Sequence, residues 1–212
     1  MINKPRLFGA SYSVYVRIVR LALFEKGIEY DHTPIDIFSA EAVPANYEAI
    51  QPFGRIPAFE HAGFSLYETG AISRYVDEAF KGPVLQPISV QARARCNQII
   101  SIADNYVYPN LVWGIFVERV SKPKQGEVAN EDRIRAATTV GKICLKAIAG
   151  IMRDNPWLVG PELTLADLYL APMFAYFRMA NEGLNLLLEQ PSLEHWWSRI
   201  AERPSMLASE PN

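Results

Sequence analysis

Only two cysteines and three histidines occur among the 212 residues, which removes several kinds of chemistry at the outset. Cys96 and Cys144 stand far apart within stretches of helical periodicity, so they supply neither a disulfide framework nor a cysteine-ligated zinc site. His32, His61 and His195 are equally scattered, and no metal site is expected. An excess of one charge is lacking too: 21 Lys+Arg face 23 Asp+Glu, a formal net charge of −2, with no electrostatic footprint for nucleic acid. No apolar run reaches the roughly 18 residues of a membrane span, and the opening Met-Ile-Asn-Lys-Pro-Arg has no apolar core of a secretory signal. The expected setting is therefore the cytoplasm, with no membrane partner. Proline, by contrast, is plentiful at 15 residues in a chain that otherwise reads as helical.

The two parts of the chain follow different periods. Up to about residue 80 the pattern changes repeatedly: Arg6 to Gly9 reads as a strand, Ser13 to Lys26 as a helix stopped by Gly27, and Ile28 to Ile35 as a strand. A turn-rich Gln51-Pro52-Phe53-Gly54-Arg55-Ile56-Pro57 leads into a hairpin pairing Ala58 to Glu60 with Phe64 to Tyr67. Thr69 opens a helix whose Ile72, Tyr75, Val76 and Ala79 share one face. Residues 1–80 thus read as an α/β domain and 81–90 as a linker marked by Pro83 and Pro87. Residues 91–212 read as an all-helical domain. Within it Ser89 to Val120 forms one helical pattern in which Pro109 predicts a kink, because its ring removes a donor and crowds the carbonyl four residues back. Asn130 is placed to cap the next helix, and Thr164-Leu165-Ala166-Asp167 has the form of a capping box.

Three constellations can carry chemistry. Ser11-Tyr12-Ser13 lies between a strand and a helix, where unpaired N–H groups and the positive end of the helix dipole stabilise an anion; a serine there also serves as an ordinary cap. Ile56-Pro57 precedes a strand; a cis bond there would offer the Ile56 backbone to an extended peptide-like ligand, while the alternative is a plain turn proline. Glu68-Thr69 at a helix start suits the ammonium and carboxylate of an α-amino acid, although the pair also reads as a cap beside a solvated charge.

In combination these motifs become specific. Leu7 to Gly27, Gln51-Pro52-Phe53-Gly54-Arg55-Ile56-Pro57-Ala58-Phe59, Leu66-Tyr67-Glu68-Thr69-Gly70-Ala71-Ile72, and Leu158-Val159-Gly160 with Leu163-Thr164-Leu165-Ala166-Asp167 occur in the order found in cytosolic glutathione transferases. The chain resembles that family over essentially its whole length, and is most similar to the serine-type, phi-like members. The resemblance implies a thioredoxin-like α/β N-terminal domain followed by an all-α domain, a cis Pro57, and a two-fold homodimer. It implies a catalytic serine at Ser13, with Ser11 and then Tyr12 as alternatives, and glutathione bound by Arg55, Ile56, Pro57, Glu68 and Thr69. Two features depart from the phi-like pattern. Ala40-Glu41 is followed by Ala42-Val43 where that pattern has His-Lys, and Thr69 replaces a serine while keeping its hydroxyl. Arg55, in place of a common glutamine, reads either as the compensating cation for the glycine carboxylate or as a solvated turn residue. Where thioredoxin-like redox proteins carry Cys-x-x-Cys, this chain has Ser11-Tyr12-Ser13-Val14, so the sulfur must come with the ligand.

A thiol such as that of glutathione titrates near 8.5, so little is thiolate at neutral pH. Lowering that value to about 6.5 requires roughly 2.7 kcal/mol of preferential thiolate stabilisation. A charge-assisted hydrogen bond contributes about 1.5 to 3 kcal/mol, and a helix N-terminus about 0.3 to 1. A serine hydroxyl donating to the thiolate is thus of the right magnitude, with no base or covalent step. Tyr106, Asn110 and Trp113 share one helical face, and with Tyr12 and Phe38 they are the expected lining of a mostly apolar electrophile pocket between the domains. The same stripe also suits a core or a dimer surface. The same thiolate would serve conjugation to a hydrophobic electrophile, or glutathione-dependent isomerisation, dehalogenation or ether cleavage. A binding or regulatory protein without catalysis is a third reading, favoured by Ala42-Val43.

Overall fold

The computed structural model describes residues 4–39 and 43–211. It divides into two compact units, one running up to Leu85 and including the end of the chain from Pro204, the other spanning Gln86–Arg203. In the first, strands β1 (Arg6–Phe8), β2 (Asp31–Thr33), β3 (Ala58–His61) and β4 (Phe64–Tyr67) form a mixed sheet in the order β2-β1-β3-β4. Parallel β1 and β2 are joined by α1 (Val14–Glu25), β3 is antiparallel to both its neighbours, and α2 (Thr69–Ala79) follows β4. The strand anticipated over Ile28 to Ile35 is paired only at Asp31–Thr33, since β2 is an edge strand and Pro34 has no N–H to extend the ladder.

Alternation across the sheet sets its two faces. Leu7 and Phe59, paired in register, are fully buried, as are Ile18 and Leu21 of α1 and Ile72 and Val76 of α2. The neighbouring pair Phe8 and Ala58 points the other way and packs with Ile35 and Tyr47. Gly27 ends α1 with φ +69°, where its N–H bonds the Phe24 carbonyl and that of Ile28 bonds Leu23, a Schellman stop that a side chain would strain. The buried Lys26 ammonium then meets the Asp77 carboxylate at 3.1 Å and the carbonyls of Asp77 and Pro83, while the Leu85 N–H donates to the same carboxylate. Both charges of this pair are fully partnered, the condition under which a buried ion pair is tolerated. The chain end returns to this unit as α9 (Pro204–Ala208): Arg17 and Arg20 of α1 donate to the carbonyls of Met206, Ala208 and Ser209.

The second unit is helical throughout: α3 (Val90–Ile102), a helix wound in π fashion over Ala103–Ser121, α4 (Lys122–Lys124), α5 (Glu131–Met152), α6 (Leu165–Phe177), α7 (Asn181–Leu188) and α8 (Pro191–Ala201). The single α-helical pattern read over Ser89 to Val120 is therefore two windings. Ala103, Val107, Leu111 and Ile115 are fully buried, a spacing of four that suits the wider turn, and Lys122 N–H bonds the Val117 carbonyl five residues back. The wider turn also admits Pro109, whose ring would crowd an α-helical carbonyl.

Two buried carboxylates organise this unit. Asp167 closes the capping box of α6, taking the Thr164 N–H and hydroxyl on one oxygen and the Leu158 N–H and Trp196 indole on the other. Burial pushes its carboxyl up, against the pull of those four donors. Burial acts the same way on Glu118, but there Lys122, the Asn130 N–H and Arg133 outweigh it and hold the carboxyl below its usual range. We expect Asp167→Ala, which strands four buried donors, to lower unfolding free energy by about 3 kcal/mol or more in denaturant titration. A carboxyl lowered on folding stabilises above its unfolded value, near 4.3, and that contribution is lost as pH falls through the folded value. Glu118→Gln should accordingly flatten the acid limb of the stability profile below about pH 4, read from thermal midpoints across pH.

Candidate active site

The register of the sheet decides what meets at one of its ends. Phe8 faces Ala58 and Ala58 faces Tyr67, so the next residues along, Gly9, Pro57 and Glu68, form a row just beyond the ladder. From this row the chain enters α1 through Ser11-Tyr12-Ser13 and α2 through Thr69, which brings two helix N-termini to the same end as Pro57. Gly9 is required here: at φ +144°, a Cβ would lie 2.4 Å from Val16 and 3.1 Å from Ile56. Its carbonyl accepts from His32 Nε2 at 2.7 Å and its N–H donates to the Thr33 carbonyl, which pins the start of the loop before α1.

The two helix starts differ in how they are satisfied. Ser13 caps α1: its Oγ accepts the Val16 N–H at 3.4 Å, and among the described residues its hydroxyl proton is given to nothing. Ser11 is half-buried beside it, whereas the Tyr12 hydroxyl donates to Asp36 Oδ1 at 2.6 Å. At α2 no side chain caps the helix, and the first backbone bond is Ile72 N–H to the Glu68 carbonyl. The N–H groups of Thr69, Gly70 and Ala71 therefore stand at the open N-terminus with the helix dipole behind them, an arrangement that suits an anion. Thr69 is buried and Glu68 exposed, the latter at φ +69°, a region that costs a non-glycine residue about 1 to 3 kcal/mol.

Between these helix starts, the Ile56–Pro57 peptide is cis. The Ile56 N–H and carbonyl make no hydrogen bond among the described residues, so an unpaired backbone edge is available beside the row. Tyr47 steadies the preceding turn by donating its hydroxyl to the Arg55 carbonyl at 2.7 Å, and burial pushes that phenol up to about 12. The Arg55 guanidinium is exposed and forms no ion pair among the described residues.

Ser11, Tyr12, Ser13, Phe38, Arg55, Ile56, Pro57, Glu68 and Thr69 all belong to the first unit; Tyr106, Asn110 and Trp113 belong to the second. In the second unit Tyr106 is exposed, Asn110 donates to its carbonyl at 2.8 Å, and half-buried Trp113 meets Tyr108 edge-on, so this stripe is not core. Ala42 lies outside the described residues. Asp36, His32 and Tyr47 hold the site together but escaped sequence reasoning, because Asp36 and His32 act through partners more than twenty residues away and Tyr47 through a backbone carbonyl across a turn; the signal available was Gly9 directly after a strand.

Family models for the glutathione S-transferase N-terminal and C-terminal domains match residues 7–84 and 110–204. The chain is 28% identical over 202 residues to glutathione S-transferase F12 of Arabidopsis thaliana, covering 94% of each. Among solved structures, glutathione transferase F2 of Populus trichocarpa superposes with a TM-score of 0.88 at 25% identity, over 97% of this chain and 96% of that one. Glutathione S-transferase-I bound with lactoylglutathione gives 0.85 at 24% identity, over 97% and 98%, a likeness of fold. With both domain models matched in order and the fold shared end to end, the chain belongs to the glutathione S-transferase family.

Proposed function

We propose that this transferase conjugates the thiolate of glutathione to a small hydrophobic electrophile, as a serine-type, phi-like member of its family that works in the cytoplasm as a homodimer. The observation that carries the reading is the meeting of an uncapped α2 N-terminus, a cis peptide edge and a serine with an undonated proton at one end of the sheet. Glutathione is a tripeptide with an α-amino acid at one end, a thiol in the middle and a carboxylate at the other. Its α-carboxylate suits the free amides of Thr69, Gly70 and Ala71 and its ammonium the exposed Glu68. Its cysteinyl backbone pairs with Ile56 as an added strand, and its glycine carboxylate pairs with Arg55.

The thiol then falls to Ser13. Because Ser13 Oγ already accepts from Val16, its remaining proton is polarised toward a new acceptor, and a thiolate is the acceptor at hand. The bound thiol gives its proton to water as its pKa falls; the carbon–sulfur bond then forms as the sulfur lone pair attacks and the leaving group departs with its electrons, and Ser13 keeps its own proton throughout. Tyr12, whose proton is committed to Asp36, is the weaker candidate for this role.

Ser13→Ala should lower kcat/KM for conjugation of an aryl halide at neutral pH by roughly 10- to 100-fold, the equivalent of one charge-assisted hydrogen bond, with glutathione affinity within a few-fold by calorimetry. Unchanged turnover would reassign the role to Ser11. Arg55→Ala should weaken glutathione binding roughly 5- to 20-fold while leaving binding of an analogue without the glycine residue unaffected; equal losses for both ligands would remove Arg55 from the site.

A further inference from the structure

We infer that Tyr12 is a positioning residue for the electrophile: it latches the loop before α1 to Asp36, and the same carboxylate fixes the turn that presents Phe38. The inference rests on the transferase reading above. Asp36 Oδ1 accepts the Tyr12 hydroxyl at 2.6 Å and the Phe38 N–H at 3.0 Å. A phenol-to-carboxylate bond of that length is charge-assisted, and a carboxylate accepting the N–H two residues on forms an Asx turn. One oxygen therefore joins two loops that leave adjacent parallel strands.

Those loops are tied at both ends. At their base, Gly9 N–H meets the Thr33 carbonyl and His32 meets the Gly9 carbonyl; at their tips, the Tyr12 hydroxyl on Asp36 makes a further link. Phe38 is 71% exposed and Tyr12 40%, so packing within the unit does not fix the Phe38 ring. The turn that carries it is held by the Phe38 N–H on the Asp36 carboxylate and by the Ser39 N–H on the Asp36 carbonyl, and Tyr12 anchors that carboxylate. An apolar ring held by a hydrogen-bonded turn rather than by a core is adjustable at low cost to the fold, and it is suited to selecting among electrophiles by size and flatness.

The test compares Tyr12→Phe, Asp36→Ala and the double variant, using glutathione and two aryl halides that differ by one fused ring. Each single variant should raise KM for the aryl halides by about three- to tenfold and shrink the preference between them, with KM for glutathione within twofold. The double variant should be no worse than Asp36→Ala alone, because Tyr12→Phe removes only a bond that Asp36→Ala already removes. Amide exchange at Phe38, followed by NMR without any substrate, should accelerate in both single variants. Additive effects on KM, or unchanged Phe38 exchange in Tyr12→Phe, would overturn the latch. So would a rise in the pKa of bound glutathione's thiol in Tyr12→Phe equal to that in Ser13→Ala, which would make Tyr12 the thiolate donor. Accelerated Phe38 exchange in a protein that conjugates neither halide would leave the latch standing and sink the transferase reading instead.

Discussion

The antiparallel insertion of β3 between β1 and β4 is the constraint on which the site depends. Because Phe8, Ala58 and Tyr67 stand in one row, the chain must leave β1, enter β3 and leave β4 at the same end of the sheet. Two helix N-termini and one unpaired peptide edge are then delivered within a few residues of that row. On the proposed function, a tripeptide carrying two carboxylates and a thiol would meet complementary groups there without any side chain having to reach far. Close packing enforces the geometry: Gly9 leaves no room for a methyl group against Val16 and Ile56, and Tyr47 ties the Arg55 carbonyl from the opposite face.

What surrounds the row holds it rigid by different means. The far end of α1 is locked by Lys26 and Asp77, and its middle by Arg17 and Arg20 gripping the chain end from Pro204. The loops above the row, by contrast, are tied by few bonds and expose aromatic side chains. Rigid support below with adjustable loops above is the arrangement expected where a fixed co-substrate must meet variable partners.

Much of this was legible in the sequence because it is local. Gly27 as a helix stop, Asn130 as a cap, the Thr164–Asp167 box and the hairpin between Ala58 and Tyr67 each depend on neighbours within a few residues, and each is found as the spacing indicates. The π winding from Ala103 was not legible: periods of 3.6 and 4 diverge only slowly along a helix, and Pro109 reads as a kink before it reads as a wider turn. Nor were Asp36, His32 or the return of the chain end onto α1, since each pairs residues that sequence separates by more than twenty positions. Ser13 itself could be read as a cap or as a thiolate donor: accepting from Val16 makes it the first, and its unused proton leaves it free for the second, the role proposed for it.

In the proposed chemistry, one hydroxyl at a helix N-terminus lowers a thiol's pKa by roughly two units. Ultraviolet titration of the thiolate band in the protein saturated with glutathione measures this directly. A thiolate held by Ser13 gives an inflection near 6.5, about two units below the free thiol near 8.5; an inflection at or above the free value would contradict that role.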